Sequence, residues 1–466
     1  MPDLRKLYHH IPEKLRFPAD YLYARIPEEI KYGEEYRRVK ALLEQSQWWS
    51  EDRLIAYQEE QMKSLLVHAY DHVPYYKKVF DDAGFNPYAF RHLDEIEVLP
   101  FLTKELVQEH FDDLTADNIP LSRRTVDTTG GSSGNQLRFY TEKNARTVER
   151  PFVLNIWGRV GYRPGSRMAV LRNDLFIGKN LNRPYYYSLG KSKLILNNFH
   201  LTDDISHAIL DKISADKIEY LHTYPSAAMA LCDYISRSGY QLKHRMKAIL
   251  ATSENVYPGQ QETINEMLQS RLFTFYGHTE RAGIAGWCEY SDLYHVQSEY
   301  GYMELVEDQT GRVIKEADQR GEIVCTGFWN YAMPFIRYRT ADYSSYAQNQ
   351  LCECGRHYRL MNQVEGRWRQ EMLVLRDGGR VSATAINMHS DAFRNVKRFQ
   401  LYQDQPGVCV IRIEKADAYN EKDEMNLRRE FIRKLGDQVD LVFDYTTGIE
   451  KTQRNKCLYL IQKLKI

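Results

Sequence analysis

The chain has 466 residues, with 63 Lys and Arg balanced by 63 Asp and Glu, seven Cys and 43% hydrophobic residues. That length predicts two or three structural units, each able to bury its own core, and the balanced charge removes the global case for a nucleic-acid or membrane-surface partner. No 18-residue apolar run is present to cross a bilayer, and the opening MPDLRKLYHHIPEKLRF lacks the apolar core of a signal peptide. The expectation is a cytoplasmic protein without membrane insertion, whose cysteines are thiols or metal ligands rather than a disulfide framework.

In chain order, the first 120 residues read as a helical lead-in. Ser50 is placed as an N-cap ahead of Glu51 and Asp52, and Leu54, Ile55, Met62, Leu65, Leu66 and Ala69 recur at helical spacing up to Pro74, forming a face that packs on the body. From about residue 125 short apolar runs alternate with helical stretches. Met168–Leu171, Leu194–Leu196, Lys247–Leu250 and Leu272–Tyr276 read as strands, which predicts an α/β architecture. Residues 301–328 read as antiparallel strands of a small barrel or separate sheet. After about residue 366 a smaller α/β unit begins, with strands near Met372–Leu375, Arg398–Tyr402, Val408–Ile413 and Leu441–Phe443, and a helix over Glu421–Leu435.

The densest local signal is Thr128-Thr129-Gly130-Gly131-Ser132-Ser133-Gly134-Asn135-Gln136. Small hydroxylated residues between glycines expose backbone N–H groups and Oγ atoms, the chemistry that wraps a polyphosphate; an ordinary loop is the alternative for the segment alone. It is neither a Walker A loop nor GxGxxG. Further on, Cys288, His295, Cys352 and Cys354 make a Cys3His set suited to tetrahedral Zn2+, with Gly355 permitting the tight turn that aims two thiolates at one ion. Unrelated thiols are the alternative reading. Cys232, Cys325, Cys409 and Cys457 read as bystanders.

Three further segments, Phe275-Tyr276-Gly277-His278-Thr279-Glu280, Pro334-Phe335-Ile336-Arg337-Tyr338-Arg339-Thr340-Ala341-Asp342 and Gly366-Arg367, follow the glycine-rich segment in order. With His72-Val73-Pro74-Tyr75-Tyr76, Leu99-Pro100-Phe101-Leu102-Thr103-Lys104 and Tyr224-Pro225-Ser226, the set resembles the adenylate-forming ligases. The branch it resembles contains phenylacetate-CoA ligases, coenzyme F390 synthetases and CapK-type capsule-biosynthesis proteins. The resemblance covers nearly the whole chain and favours zinc for the Cys3His set.

It implies an α/β fold with a large multi-sheet adenylation body over residues 1–365, its first 120 residues the lead-in, and a mobile C-terminal domain over residues 366–466. It implies an AMP-forming ligase using ATP, Mg2+ and a small-molecule carboxylate, with coenzyme A as the default acceptor, acting as a monomer or homodimer. An amine acceptor, AMP transfer to a hydroxyl, or a catalytically silent nucleotide-binding member of a biosynthetic assembly stays open, as does a role in capsule or secondary-metabolite synthesis. By the same resemblance, Thr129, Gly130, Gly131, Ser132, Ser133 and Gly134 hold the β- and γ-phosphates. Ser253, Glu254, Tyr276, Gly277 and Thr279 surround the nucleotide, with Tyr276 stacking on adenine. Glu280 ligates Mg2+, Asp342 and Arg367 contact the ribose, Tyr224 and His278 touch the acyl pocket, and Lys456 stabilises the transition state at the α-phosphate. The chain departs from the pattern at Gln136, at Ala341 where glycine often stands, and at Asn455 before Lys456.

Overall fold

The computed structural model describes residues 26–129, 137–172, 182–188, 193–257, 259–366, 372–382, 386, 391–393, 395–446, 449 and 459–464. In the lead-in, α1 (Glu28–Ser46) precedes α2 (Glu51–His72), whose N-cap Ser50 accepts a hydrogen bond from the Arg53 amide at 3.4 Å. Leu54, Met62, Leu65, Leu66 and Ala69 are buried, but Ile55 is 39% exposed. Ile55 sits about 100° around the helix from Leu54, and Gln58, one turn after Leu54, takes the inward place instead. Its amide donates to the Gly301 carbonyl at 3.0 Å. Pro74 does more than end α2: at the first position of α3 (Pro74–Asp82), its fixed φ starts a new helix. The short α4 (Lys104–Glu109) is capped by Thr103.

β1 (Arg124–Thr128) and β2 (Arg138–Glu142) pair antiparallel on either side of the glycine-rich segment and lead into α5 (Ala145–Gly158). There follow β3 (Met168–Leu171), β4 (Tyr185–Tyr187), β5 (Lys193–Leu196), α6 (Asp203–Ala215), β6 (Tyr220–Thr223), α7 (Pro225–Ser238) and β7 (Ala248–Ala251). Next come α8 (Gln260–Met267), β8 (Leu272–Gly277), β9 (Ile284–Gly286) and β10 (Tyr294–Val296). β11 (Gly301–Val306), β12 (Val313–Ile314), β13 (Gly321–Gly327), β14 (Tyr338–Ser344) and β15 (Leu360–Met361) complete this part.

A nine-stranded sheet has the order β15-β10-β9-β8-β7-β6-β3-β5-β4. Its centre, β5-β3-β6-β7-β8, is parallel, with β4, β9, β10 and β15 antiparallel at the edges. β3 and β7 are buried at every position, which accounts for their unbroken apolar runs. Along the chain the parallel strands fall in the order second, first, third, fourth, fifth, so the winding reverses between β3 and β6. In open α/β sheets such a reversal leaves a crevice at the carboxyl ends of the strands. Residues 301–344 form a separate antiparallel sheet, β12-β11-β13-β14, rather than a barrel.

In the C-terminal part, β16 (Met372–Val374) pairs with β17 (Arg380–Ser382). β18 (Val396–Gln403), β19 (Val408–Lys415), α9 (Glu421–Leu435), β20 (Asp440–Tyr445) and β21 (Leu460–Gln462) follow. The sheet order is β20-β19-β18-β21, and α9 buries Leu427, Phe431 and Leu435. The anticipated strands here agree within a few residues, and the helix agrees at both ends. A bridge between Leu201 and Arg380, the His200–Asp377 pair and an Arg380–Asp233 contact at 3.3 Å join this part to the body.

The lead-in phrases converge on residues 334–339. The Tyr76 hydroxyl donates to the Pro334 carbonyl at 2.9 Å and accepts from the Ile336 amide at 3.0 Å. Leu102 pairs with the β14 start: its amide donates to the Arg337 carbonyl at 3.1 Å, and the Arg339 amide donates to the Leu102 carbonyl at 2.9 Å. The Arg337 guanidinium, 2% exposed, donates to both Glu304 oxygens at 3.2 and 2.8 Å and to the Glu97 and Leu99 carbonyls at 2.8 and 2.6 Å. Burial pushes the Glu304 carboxyl up, and Arg337 opposes it. Removing one member of a buried pair strands the other charge at a cost of about 3–5 kcal/mol. Arg337→Met is therefore expected to lose about that much unfolding free energy in urea titrations, while Arg337→Met with Glu304→Gln loses less than the single variant.

Candidate functional site

β8 leaves the nine-stranded sheet beside β14 of the antiparallel sheet, and two of the anticipated nucleotide residues meet there. The Tyr276 hydroxyl donates to Asp342 Oδ2 at 3.1 Å. Burial, then the Asp342 charge, raises the Tyr276 phenol far above its usual range, so it stays a donor. Ala341, in the place of glycine, is held at φ 57°, and its amide donates to Glu322 Oε1 at 2.7 Å. A left-handed alanine is strained by roughly 1–2 kcal/mol; here the turn survives without glycine because Glu322 and the β13 pairing fix it.

Four residues after Tyr276, Glu280 accepts from the Tyr338 hydroxyl through Oε1 at 2.9 Å, and its Oε2 lies 3.2 Å from His278 Nδ1. Burial alone would raise this carboxyl; His278 first, then the local backbone and Tyr338, outweigh it and hold it at about 2. The group is thus an anionic, hard oxygen donor at any physiological pH. His278 Nε2 is buried without a hydrogen-bond partner among the described residues. Tyr338 was not singled out from the sequence, although it lies inside the quoted Arg337-Tyr338-Arg339 run.

Arg281, at φ 55°, reaches back to the glycine-rich segment, donating to Asp127 Oδ2 at 2.6 Å and Glu149 Oε2 at 3.1 Å. The Thr129 amide donates to the Leu137 carbonyl at 2.9 Å, and the Leu137 amide donates to Thr129 Oγ1 at 3.0 Å. These two hydrogen bonds join the residues that flank the glycine-rich segment and leave the Thr129 hydroxyl hydrogen to donate elsewhere. Gly130, Gly131, Ser132, Ser133 and Gly134 lie outside the described residues, as do Arg367 and Lys456. Gly366 abuts Asn255; a Cβ there would fall 2.6 Å from the Asn255 amide nitrogen.

Gly277 is exposed and Thr279 partly exposed at the β8 end. Glu254 Oε2 accepts from the Ser226 amide and Oε1 from the Ser226 hydroxyl, both at 2.9 Å. Its charge sits at the N-terminus of α7, where the helix dipole favours it. Ser253 is at φ 68° and accepts from Arg172 Nη2 at 3.0 Å. The Arg172 guanidinium carbon lies 5.2 Å from the buried Tyr224 ring. Arg172 carried no signal in the sequence.

At the far edge of the nine-stranded sheet, Cys288 after β9, His295 on β10 and Cys352 and Cys354 before β15 bring four ligand atoms within 4.8 Å of one another. Cys288 Sγ is 3.5 Å from Cys352 Sγ, and Cys354 Sγ is 3.3 Å from His295 Nε2. Ligands about 2.0–2.3 Å from a tetrahedral ion are separated by about 3.5–3.8 Å, so the donor set fits zinc. His295 Nδ1 lies 3.1 Å from the Leu293 carbonyl, a contact that leaves Nε2 bare toward the cluster. The Tyr290 and Ser291 amides donate to Cys288 Sγ at 3.3 and 3.2 Å, and Gly355 makes the anticipated turn at φ 73°.

The CapK C-terminal domain family matches residues 373–463. The phenylacetate-coenzyme A ligase of Thermus thermophilus is 24% identical over 347 residues, covering 70% of this chain and 72% of that protein. The phenylacetate-coenzyme A ligase of Aromatoleum evansii is 26% identical over 336 residues, covering 70% and 73%. Among solved structures, 2-hydroxyisobutyryl-CoA ligase in complex with 2-HIB-AMP and CoA superposes with a TM-score of 0.58 at 17% identity, covering 89% of this chain and 91% of that one. By sequence the chain is similar to phenylacetate-coenzyme A ligases over about 70% of its length and to the CapK C-terminal domain over residues 373–463, and it shares the mixed α/β fold of the 2-hydroxyisobutyryl-CoA ligase.

Because the Glu280 carboxyl is lowered from 4.5 to about 2 on folding, it contributes stability above pH 4.5 that is lost as the pH falls through 2. From pH 5 to pH 3 that loss is about 2 kcal/mol. Glu280→Gln is expected to lack this increment, so the stability gap between wild type and variant, read from urea midpoints, narrows over that range.

Proposed function

We propose that the chain is an ATP-dependent, AMP-forming acid-CoA ligase. The observation that carries this reading is the meeting of Tyr276 with Asp342 and of Glu280 with His278 and Tyr338, side chains from segments up to 66 residues apart, at the carboxyl end of β8. A carboxylate oxygen attacks the α-phosphorus of ATP, the bond to pyrophosphate breaks, and acyl-AMP remains; the thiol sulfur of coenzyme A then attacks the acyl carbon and AMP leaves. Asp342 accepts from the ribose hydroxyls, Tyr276 offers its ring to adenine, and Glu280 supplies the anionic oxygen for Mg2+, which offsets phosphate charge. Thr129 to Gly134 cradle the phosphates, Arg367 adds a ribose contact, and Lys456 stabilises charge at the α-phosphate.

The body is residues 1–365 and the C-terminal domain residues 366–466, turning about a hinge at Gly366 to Glu371. The CapK C-terminal match supports a capsule or polysaccharide context. ATP–pyrophosphate exchange over a panel of carboxylates tests the activity: exchange is expected only with an acid present and to fall at least about a thousandfold in Lys456→Ala. ATP binding without exchange for any acid would instead mark a silent nucleotide-binding protein.

Cys288, His295, Cys352 and Cys354 hold a structural Zn2+, tying the chain after Glu280 to the chain after Asp342. Purified protein is expected to carry about one equivalent of zinc and the Cys352→Ser/Cys354→Ser variant almost none by elemental analysis. A trace of zinc in wild type would contradict the assignment.

A further inference from the structure

The winding of the parallel sheet reverses between β3 and β6, and the residues at that point are not those of a purely apolar pocket. Arg172 follows β3 directly. Its Nη1 lies 2.8 Å from His222 Nε2 on β6 and donates to the Thr252 hydroxyl after β7, while Nη2 donates to Ser253. With an arginine N–H on Nε2, the His222 proton resides on Nδ1 and the imidazole is neutral, in line with burial and then the Arg172 charge lowering its affinity for a second proton. The Trp157 ring, from the last turn of α5, packs edge-on against His222 at 4.9 Å between centroids. Trp157 is only 8% exposed, and its indole N–H is buried with no acceptor among the described residues.

Arg172 and Trp157 are donors only. A methyl or phenyl group seated here would leave the indole N–H unpaired and place apolar surface against a cationic side chain, each unfavourable; an anionic oxygen would pair the N–H and complement the charge. We infer that the crevice between β3 and β6 recognises a second carboxylate on the acyl substrate, so that the chain activates dicarboxylic acids in preference to apolar monocarboxylic ones. Arg172 and Trp157 act as specificity residues, with Tyr224 covering the guanidinium on one side. A site built to pair a polar group rejects the analogue lacking it more strongly than an apolar pocket rejects an extra methylene.

The inference rests on the ligase reading, so exchange and binding are measured separately. Paired acids of equal shape, hexanoate with adipate and 4-methylphenylacetate with 4-carboxyphenylacetate, are compared in pyrophosphate exchange and by calorimetry. Wild type is expected to favour each diacid at least about tenfold in kcat/KM, chiefly through KM. Arg172→Met is expected to erase that preference, and Trp157→Phe, which keeps the ring and removes the donor, to cut it several-fold; thermal melts establish that each variant folds, with Arg172→Lys in place of the methionine variant if it does not. If exchange is silent for every acid, the ligase reading fails alone: diacid binding in calorimetry that is lost in Arg172→Met still supports the crevice assignment. Monoacids favoured by wild type, a diacid preference unchanged within twofold in Arg172→Met, or no diacid binding where exchange is silent, overturns it.

Discussion

The site depends on one buried cation. Arg337 is fully enclosed, sits at φ 50°, and spends its guanidinium on Glu304 of β11 and on two carbonyls of the lead-in. Such a pair adds little net stability compared with an apolar core, because desolvation offsets the attraction. What it does is fix register. With Leu102 bonded to the backbone on both sides of Tyr338, the start of β14 has one position, so Tyr338 reaches Glu280 and Asp342 reaches Tyr276. The lead-in is therefore part of the site's scaffold, although none of its side chains is assigned to the chemistry.

Backbone strain follows the same map. Of the seven non-glycine residues with positive φ among the described residues, Ser253, Arg281, Arg337 and Ala341 lie within or directly beside the motif segments. Each is held by side-chain bonds: Arg281 by Asp127 and Glu149, Ala341 by Glu322, Ser253 by Arg172 and Arg337 by Glu304. Strain of this kind persists where the surroundings over-determine it, and it re-aims adjacent side chains into a shared crevice. Arg281 has the further effect of coupling the Glu280 turn to the strand that enters the glycine-rich loop, so two candidate phosphate elements share one anchor.

Much of this was legible in the sequence, for physical reasons that differ by element. β3 and α9 could be bounded because full burial and a capping pattern leave local signatures. The motif set was legible because backbone donors, a hard carboxylate and a diol acceptor each require particular residue types at a turn. The Cys-x-Cys-Gly spacing likewise encodes its own geometry. Ile55 was misplaced because residues 54 and 55 cannot both face a narrow contact, and nothing in the periodicity ranks Gln58 above an isoleucine. The bonds of Glu254 to Ser226 were not legible because its partner, the start of α7, is fixed by sheet order. Arg172, His222 and Trp157 were silent for the same reason: they come from a strand end, a strand interior and a helix end, and only the reversal between β3 and β6 brings them together.

The central claim is that the carboxylate is activated on the α-phosphorus. The most direct measurement is the fate of oxygen-18 in a doubly labelled carboxylate substrate turned over with ATP and coenzyme A. Attack on the α-phosphorus followed by thiol attack on the acyl carbon must leave one labelled oxygen in AMP and none in pyrophosphate, and that is the predicted result. Label recovered in inorganic phosphate with ADP as the product, or AMP formed without label, would contradict the account.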